Sequence, residues 1–350
     1  MGNRQLDTEI VQVHMVNQTH KTLKFLEFEK TNYFINNEFD IYINVKRGWP
    51  IVRTENHFIK YSISRYIYIP KGTKFSIYCG KCYVLEIEVD ELSWSKNQIV
   101  EEEFLNKQYI GAGYIRQGYE RSKIDKVFKD YYSNLGYEII TADTDHESFN
   151  RSAFRNVLAT VFPNEIMIIL DNDGFYTKDQ LNNAVKHAAE DDIVVKPTNR
   201  ILQVNYFDNF DPNELRKEFD KINLKEIDIS TNIKRSYNDY IYEYYGLYTG
   251  IGWVLKTKLW PGMDERCIGW GHEDLIFQHS VAMTIGNMPS LDNGYVITIN
   301  HPRDVTKDHN TSIGNEYYGK TDKDLLLFML RQYAQNGCGG QFATLPYFLV

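Results

Sequence analysis

Three places in the chain gather residues able to do chemistry together. The first is Asp171-Asn172-Asp173-Gly174, directly after the apolar run Ile166-Met167-Ile168-Ile169-Leu170. Carboxylate oxygens are hard ligands that suit Mg2+ or Mn2+, and such an ion can bridge to a diphosphate and neutralise it as it leaves. Asp and Gly after a strand are also what any turn wants, and the D-x-D pattern alone favours the turn. The second place is Gly269-Trp270-Gly271-His272-Glu273-Asp274, which runs into an apolar helical segment. Adjacent acids at a helix start are favoured by the macrodipole, so capping alone would account for Glu273 and Asp274. Capping does not need a Trp between glycines. A sugar site does: an indole face for the ring, carboxylates for its hydroxyls and a base for the attacking hydroxyl. The third place is His301, which closes a strand ahead of Pro302. A neutral imidazole there would complete a metal site that the Asp pair opens; taken alone it reads as a structural histidine, and His309 competes with it.

The elements that must hold these residues are legible in the rhythm of the chain. From residue 123 the text alternates: KIDKVFKDYYSNLG has helical spacing with a Gly stop, YEIITAD is a strand and FNRSAFRNVLATVF a helix. EIMIILDND is a buried strand, AVKHAAEDD the end of a helix and DIVVKPT another strand. Alternation of this kind predicts an α/β fold with a mainly parallel sheet covered by helices, and such sheets bind ligands at the carboxyl ends of their strands. Gly174 is expected to let the chain turn sharply away from the Asp pair.

Residues 1 to 100 read differently. FDIYINV, FIKYSI, RYIYIP, KFSIYC and CYVLEIEV are short, β-branched or aromatic, and punctuated by Gly, Pro and Asn. They predict a small β-rich accessory domain, a sandwich or jelly roll, joined by SWSKNQIVEEEF to a catalytic domain over 105–350. Cys79 and Cys82 form a CxxC whose intervening Gly80-Lys81 suits a two-residue hairpin turn, and no second CxxC or His pair joins it as a zinc site would require. The module holds only His57 in its strand-rich stretch, so a cupin-like metal enzyme is set aside. DKDLLLFMLRQYAQNG predicts a C-terminal helix packed on the domain, with a dimer or membrane-surface contact as the minority alternative.

Composition narrows the partners. A formal net charge of -8 provides no global positive field for polyanions, which demotes nucleic acid. No stretch approaches the apolar length of a membrane span, the start has no apolar leader, and four cysteines are too few for a disulfide framework. The expectation is a cytoplasmic enzyme, in the host cytoplasm if the source is viral.

Taken in order, YIRQGYER, FNRSAFRN, ILDNDGF, GLYTGIGWVLKTKLW, CIGWGHEDLIF and NHPRD resemble the GT-A glycosyltransferases of the beta-4-galactosyltransferase and chondroitin-polymerase type. The resemblance spans about residues 110 to 310. It implies a metal-dependent transferase that moves a sugar from a nucleotide-sugar, UDP-linked by preference, to a hydroxyl acceptor. Arg116, Phe149 and Arg151 would bind the nucleotide part of the donor, Asp173 and His301 would ligate Mn2+ or Mg2+, and Asp171 would support the ribose or the ion. Trp270 and Glu273 would contact the sugars, and Asp274 would deprotonate the acceptor, with Glu273 as the alternative base. A base opposite the leaving group implies inversion at the anomeric carbon. His272 stands where the family usually has Gly, and Leu275 replaces a third acid. A phage or bacterial enzyme fits better than a secretory one. A variant within the class glycosylates a modified DNA base. The competing class is a non-catalytic carbohydrate-binding protein on the same fold, against which the retained set of Asp171, Asp173, Glu273, Asp274 and His301 speaks.

Overall fold

The computed structural model describes residues 20–25, 33–62, 65–79, 84–95, 98–101, 107–114, 119–145, 150–205, 210–221, 233–237, 240–245, 251–265, 273–286 and 288–300. Its architecture is mixed α/β, as the alternation predicts. Strands come first: β1 (His20–Phe25), β2 (Tyr33–Asn36), β3 (Ile41–Arg47), β4 (Pro50–Thr54), β5 (His57–Lys60), β6 (Tyr66–Ile69), β7 (Lys74–Cys79) and β8 (Leu85–Asp90). The short helix α1 (Glu91–Ser95) leads to β9 (Gln98–Glu101) and β10 (Gln108–Gly113). Helices and strands then mix: α2 (Tyr119–Asn134), β11 (Tyr137–Thr144), α3 (Arg151–Val161), β12 (Ile166–Leu170), β13 (Gly174–Phe175), α4 (Lys178–Asp191) and β14 (Arg200–Asn205). They are followed by α5 (Pro212–Phe219), β15 (Ile233–Tyr237), β16 (Tyr240–Tyr245), β17 (Gly252–Lys256), α6 (Glu273–Thr284) and β18 (Tyr295–Asn300).

These strands form a nine-stranded sheet in the order β17-β12-β10-β11-β5-β4-β7-β2-β9, a four-stranded sheet β1-β8-β3-β6 and a five-stranded sheet β13-β18-β14-β16-β15. The middle of the large sheet is parallel across β12, β10, β11 and β5, and antiparallel strands flank it on both sides. Side chains alternate between the two faces of β12. Ile168 and Leu170 enter the core beneath α2 and α4, whereas Met167 and Ile169 enter the core beneath α3 and α6. A strand covered on both faces must be apolar throughout, which is why IMIIL is an unbroken run. Glycine lets α3 approach: a Cβ on Gly113 of β10 would lie 2.6 Å from the Phe154 ring.

The boundary expected near residue 100 is not a boundary between sheets. β5 pairs in parallel with β11, His57 opposite Thr141, and Ile51, Phe58 and Tyr78 share a core with Phe154 and Leu158 of α3. The four-stranded sheet packs Ile43, Ile67 and Ile87 against Val52, Phe75 and Ile77 of the large one. The hairpin expected at Gly80-Lys81 is corrected by this arrangement, because β7 pairs with β4 and β2 while β8 pairs with β1 and β3. The two segments lie in different sheets, and Cys79 is buried in the core they share. The strand expected over DIVVKPT is reduced to isolated bridges, Val195 with Val254 and Lys196 with Ser290. No helix among the described residues is long and apolar enough to cross a membrane. The expected C-terminal helix lies outside the described residues.

Candidate active site

Asp171 follows β12 directly. Its N–H donates to the Ile251 carbonyl at 2.8 Å, and its own carbonyl accepts from the Gly174 N–H at 3.0 Å. Asp-Asn-Asp is thus a tight turn that carries the chain from the nine-stranded sheet into β13 of the five-stranded one. The chain turns sharply at Gly174 as expected, but Gly174 is absent from the residues with positive φ, so backbone freedom is not what requires it. The constraint is steric, since a Cβ there would lie 2.5 Å from Cγ2 of Ile251. Within the turn Asn172 is buried and donates to Asp125 of α2 at 2.9 Å. The Asp173 carbonyl accepts from the Ile299 N–H at 3.2 Å, which ties the D-x-D to the end of β18.

The facing charges come from α3. Its N-cap, Asn150, accepts from the Ala153 N–H at 2.9 Å and donates to the Glu265 carbonyl at 2.8 Å. Arg151 opens the helix and Arg155 lies one turn on, along the same face. Cations at a helix N-terminus oppose its dipole, so other charges must hold them there. The acids that do so are Asp171 at the strand end and Glu273 and Asp274 in the first turn of α6, where the dipole favours them.

The distances describe one network. Arg151 Nη1 lies 2.9 Å from Glu273 Oε1 and 2.8 Å from Asp274 Oδ2, with Nη2 3.6 Å from Asp171 Oδ2. Arg155 Nη1 lies 2.8 Å from Asp274 Oδ1 and Nη2 lies 2.7 Å from Asp171 Oδ1. The Arg155 guanidinium also lies 4.2 Å from the centroid of the Trp253 ring, a cation–π geometry. Arg155 is 0% exposed and Glu273 3% exposed, whereas the Asp274 side chain keeps 19% of its surface open.

Burial pushes the Asp274 carboxyl up to about 6; Arg151 draws it back, Glu273 adds to the rise and Arg155 opposes it. Burial works against the charge on Arg151, but Asp171, Asp274 and Glu273 together hold its pKa above the ordinary value. Lys196 stands nearby with its ammonium pulled down by burial and supported by Asp274, its Nζ donating to Gln278 Oε1 at 3.1 Å. Gln278 lies one turn after Asp274 on α6.

The structure therefore brings together Arg151, Asp171, Glu273 and Asp274, with Asp173 at the same strand end. Arg116, Phe149, Trp270 and His301 lie outside the described residues. His301 directly follows Asn300, the last residue of β18. Sequence reasoning missed Arg155 and Lys196. The signal for Arg155 was a second arginine one helical turn after Arg151 in an otherwise apolar stretch.

No family model and no curated protein matches the chain. Among solved structures it is similar to S. aureus TarS 1-349, with 10% identity over 55% of this chain and 60% of that one and a TM-score of 0.31. It is similar to TarS 1-349 in complex with UDP-GlcNAc, with 11% identity, 64% of each chain and a TM-score of 0.32. GalNAc-T7 with UDP, GalNAc and Mn2+ gives 12% identity, 58% of this chain and 45% of that one, with a TM-score of 0.33. The chain spans less than two thirds of the length of each.

The donor set can be compared with what a divalent ion needs. Among the described residues no three His, Cys, Asp or Glu side chains form a ligand group. Both oxygens of Asp171 face guanidiniums, which suits an orienting role better than ligation. Asp171, Glu273 and Asp274 pair with the two arginines, and Asp173 adds a further negative charge felt by Arg151.

Proposed function

We propose that the chain is a glycosyltransferase of the GT-A type that moves a sugar from a nucleotide-sugar, UDP-linked by preference, to a hydroxyl acceptor. The observation that carries the reading is the meeting of Asp171, Glu273 and Asp274 with Arg151 at the carboxyl ends of parallel strands, where α/β sheets bind their ligands. Within that class the order of motifs resembles the beta-4-galactosyltransferase and chondroitin-polymerase type. Arg151, whose planar fork matches phosphate oxygens, holds the donor diphosphate together with Arg116, and Phe149 lies against the nucleotide. Asp173 and His301 hold a divalent ion, Mn2+ or Mg2+, which when bound neutralises charge on the departing diphosphate. Asp171 supports the donor from the arginine network. Trp270 and Glu273 contact the sugars.

Asp274 is the base. It takes the proton of the acceptor hydroxyl, the acceptor oxygen forms its bond to the anomeric carbon, and the bond from that carbon to the diphosphate oxygen breaks with its electron pair leaving on the nucleotide. A single displacement of this kind inverts the anomeric configuration. Exposure separates Asp274 from its rival, because Glu273 is 3% exposed while Asp274 keeps 19% of its side chain open. The test is nucleotide release by the purified full chain from a panel of UDP-, GDP- and CMP-sugars with Mn2+. Release from one donor, lost in Asp173→Ala, supports the transferase. Silence across the panel turns the reading to a carbohydrate-binding protein that keeps the fold.

A further inference from the structure

Arg155 has no role in the scheme above, yet it is the most deeply buried ion of the network. It is 0% exposed, so solvent does not reach its guanidinium; whatever it does, it does through the groups it touches. Three separate elements supply partners. Nη2 meets Asp171 at the end of β12, Nη1 meets Asp274 at the start of α6, and the Trp253 ring of β17 lies 4.2 Å from the guanidinium carbon. Trp253 itself packs against Phe277 of α6, ring centroids 4.2 Å apart. A planar cation resting on an indole and bonded at two corners is held in one plane, which an ammonium on a flexible stem would not be.

The two arginines divide the work on Asp274. Arg151 bonds one of its oxygens and is shared with Glu273 and Asp171, and its side chain at the helix start keeps 8% of its surface exposed where Arg155 keeps none. Arg155 bonds the other oxygen and serves Asp171 besides. With Arg151 engaged by a diphosphate, as the transferase reading has it, Arg155 would still bond the carboxylate, with Lys196 nearby.

We propose that Arg155 is a positioning residue that fixes the Asp274 carboxylate relative to the strand-end Asp171 and keeps it ionised for proton abstraction. The inference rests on the transferase reading. The charged groups facing Asp274 are Arg151 and Arg155 from α3, Glu273 from its own helix, Asp171 from the strand end and Lys196 from the segment before β14. Removing one of its cations leaves burial and two carboxylates less opposed, so the carboxyl protonates at higher pH.

The experiment compares wild type, Arg155→Leu and Arg155→Lys in donor binding, kcat and the pH profile of kcat. In Arg155→Leu, kcat is expected to fall by about 10² while the Kd for UDP with Mn2+ changes by less than about threefold, and the acid limb of the profile moves to higher pH. Arg155→Lys is expected to return the limb towards wild type, since the charge is restored, with kcat only partly recovered, since one ammonium does not bridge two carboxylates in a fixed plane. If Arg155→Leu does not fold, the Lys variant decides: lowered kcat with retained donor binding supports the role, and wild-type kcat overturns it. An acid limb unmoved in Arg155→Leu, or kcat and donor binding lost in proportion, overturns it as well. A wild type that turns over no donor sinks the transferase reading and this inference with it, whereas an active wild type with an unmoved limb in Arg155→Leu sinks only the role of Arg155.

Discussion

Strands β2, β4 and β7 and strands β10, β11 and β12 belong to one sheet, yet the two regions bury different things. Between the sheets of the first region lie Val52, Phe75 and Ile77 against Ile43, Ile67 and Ile87, all apolar, and charges such as Lys46 and Glu88 pair on the outside at 2.8 Å with 45% and 28% of their side chains exposed. At the carboxyl ends of the second, Arg151, Arg155 and Glu273 are withdrawn from water together. Removing ions from water costs several kcal/mol each before pairing offsets it. Single charges such as Arg53 of β4 are buried elsewhere too, but Arg151, Arg155 and Glu273 are buried together as one network with Asp171 and Asp274, which makes that edge the candidate ligand site. Arg155 shows it most plainly: a fully buried cation bonded to two carboxylates and resting on an indole is more than packing requires.

The largest effect is expected from Asp274→Asn, which keeps the shape of the network and removes the base: kcat falls by about 10²–10⁴ with donor binding retained. A variant as active as wild type would reduce the buried charges to scaffolding. Phe75→Ala, at a position 0% exposed in the apolar region, is expected to cost about 3–5 kcal/mol in denaturant unfolding, and the pH profile of the folded fraction should stay where it was. The profile itself comes next. Asp274 must be ionised to accept a proton and burial raises its pKa to about 6, so turnover falls as pH drops through that value, by about tenfold per unit below it. A profile level down to pH 4 would remove Asp274 as the base. The smallest effect belongs to Lys46→Ala, which breaks an exposed pair and should change stability by only about 0.2–1 kcal/mol, a difference that salt would erase.

Much of the fold was legible because periodicity follows burial. IMIIL announced a strand covered on both faces, and FNRSAFRNVLATVF announced a helix that the structure begins at Arg151. The pairing of distant strands was not legible. Nothing local in HFIK tells that β5 runs parallel to β11, and the Gly80-Lys81 pair looked like a hairpin because turn chemistry is read from neighbours while sheet membership is decided by partners far away. At the site, Asp171, Glu273 and Asp274 were visible through the succession of motifs around them, because Asp after a strand and acids at a helix start are each ordinary alone. Arg155 escaped notice because an arginine in a helix is ordinarily solvated, and only the fold turns that side of α3 towards Trp253 and the acids.

The most direct test of the central claim is a calorimetric titration of UDP, GDP and CMP into the purified full chain, with and without Mn2+, beside the same titration of Arg151→Leu. The account predicts that one of these nucleotides binds with Mn2+ present and that Arg151→Leu weakens it by about tenfold or more. No binding of any of the three, with or without the metal, would contradict it.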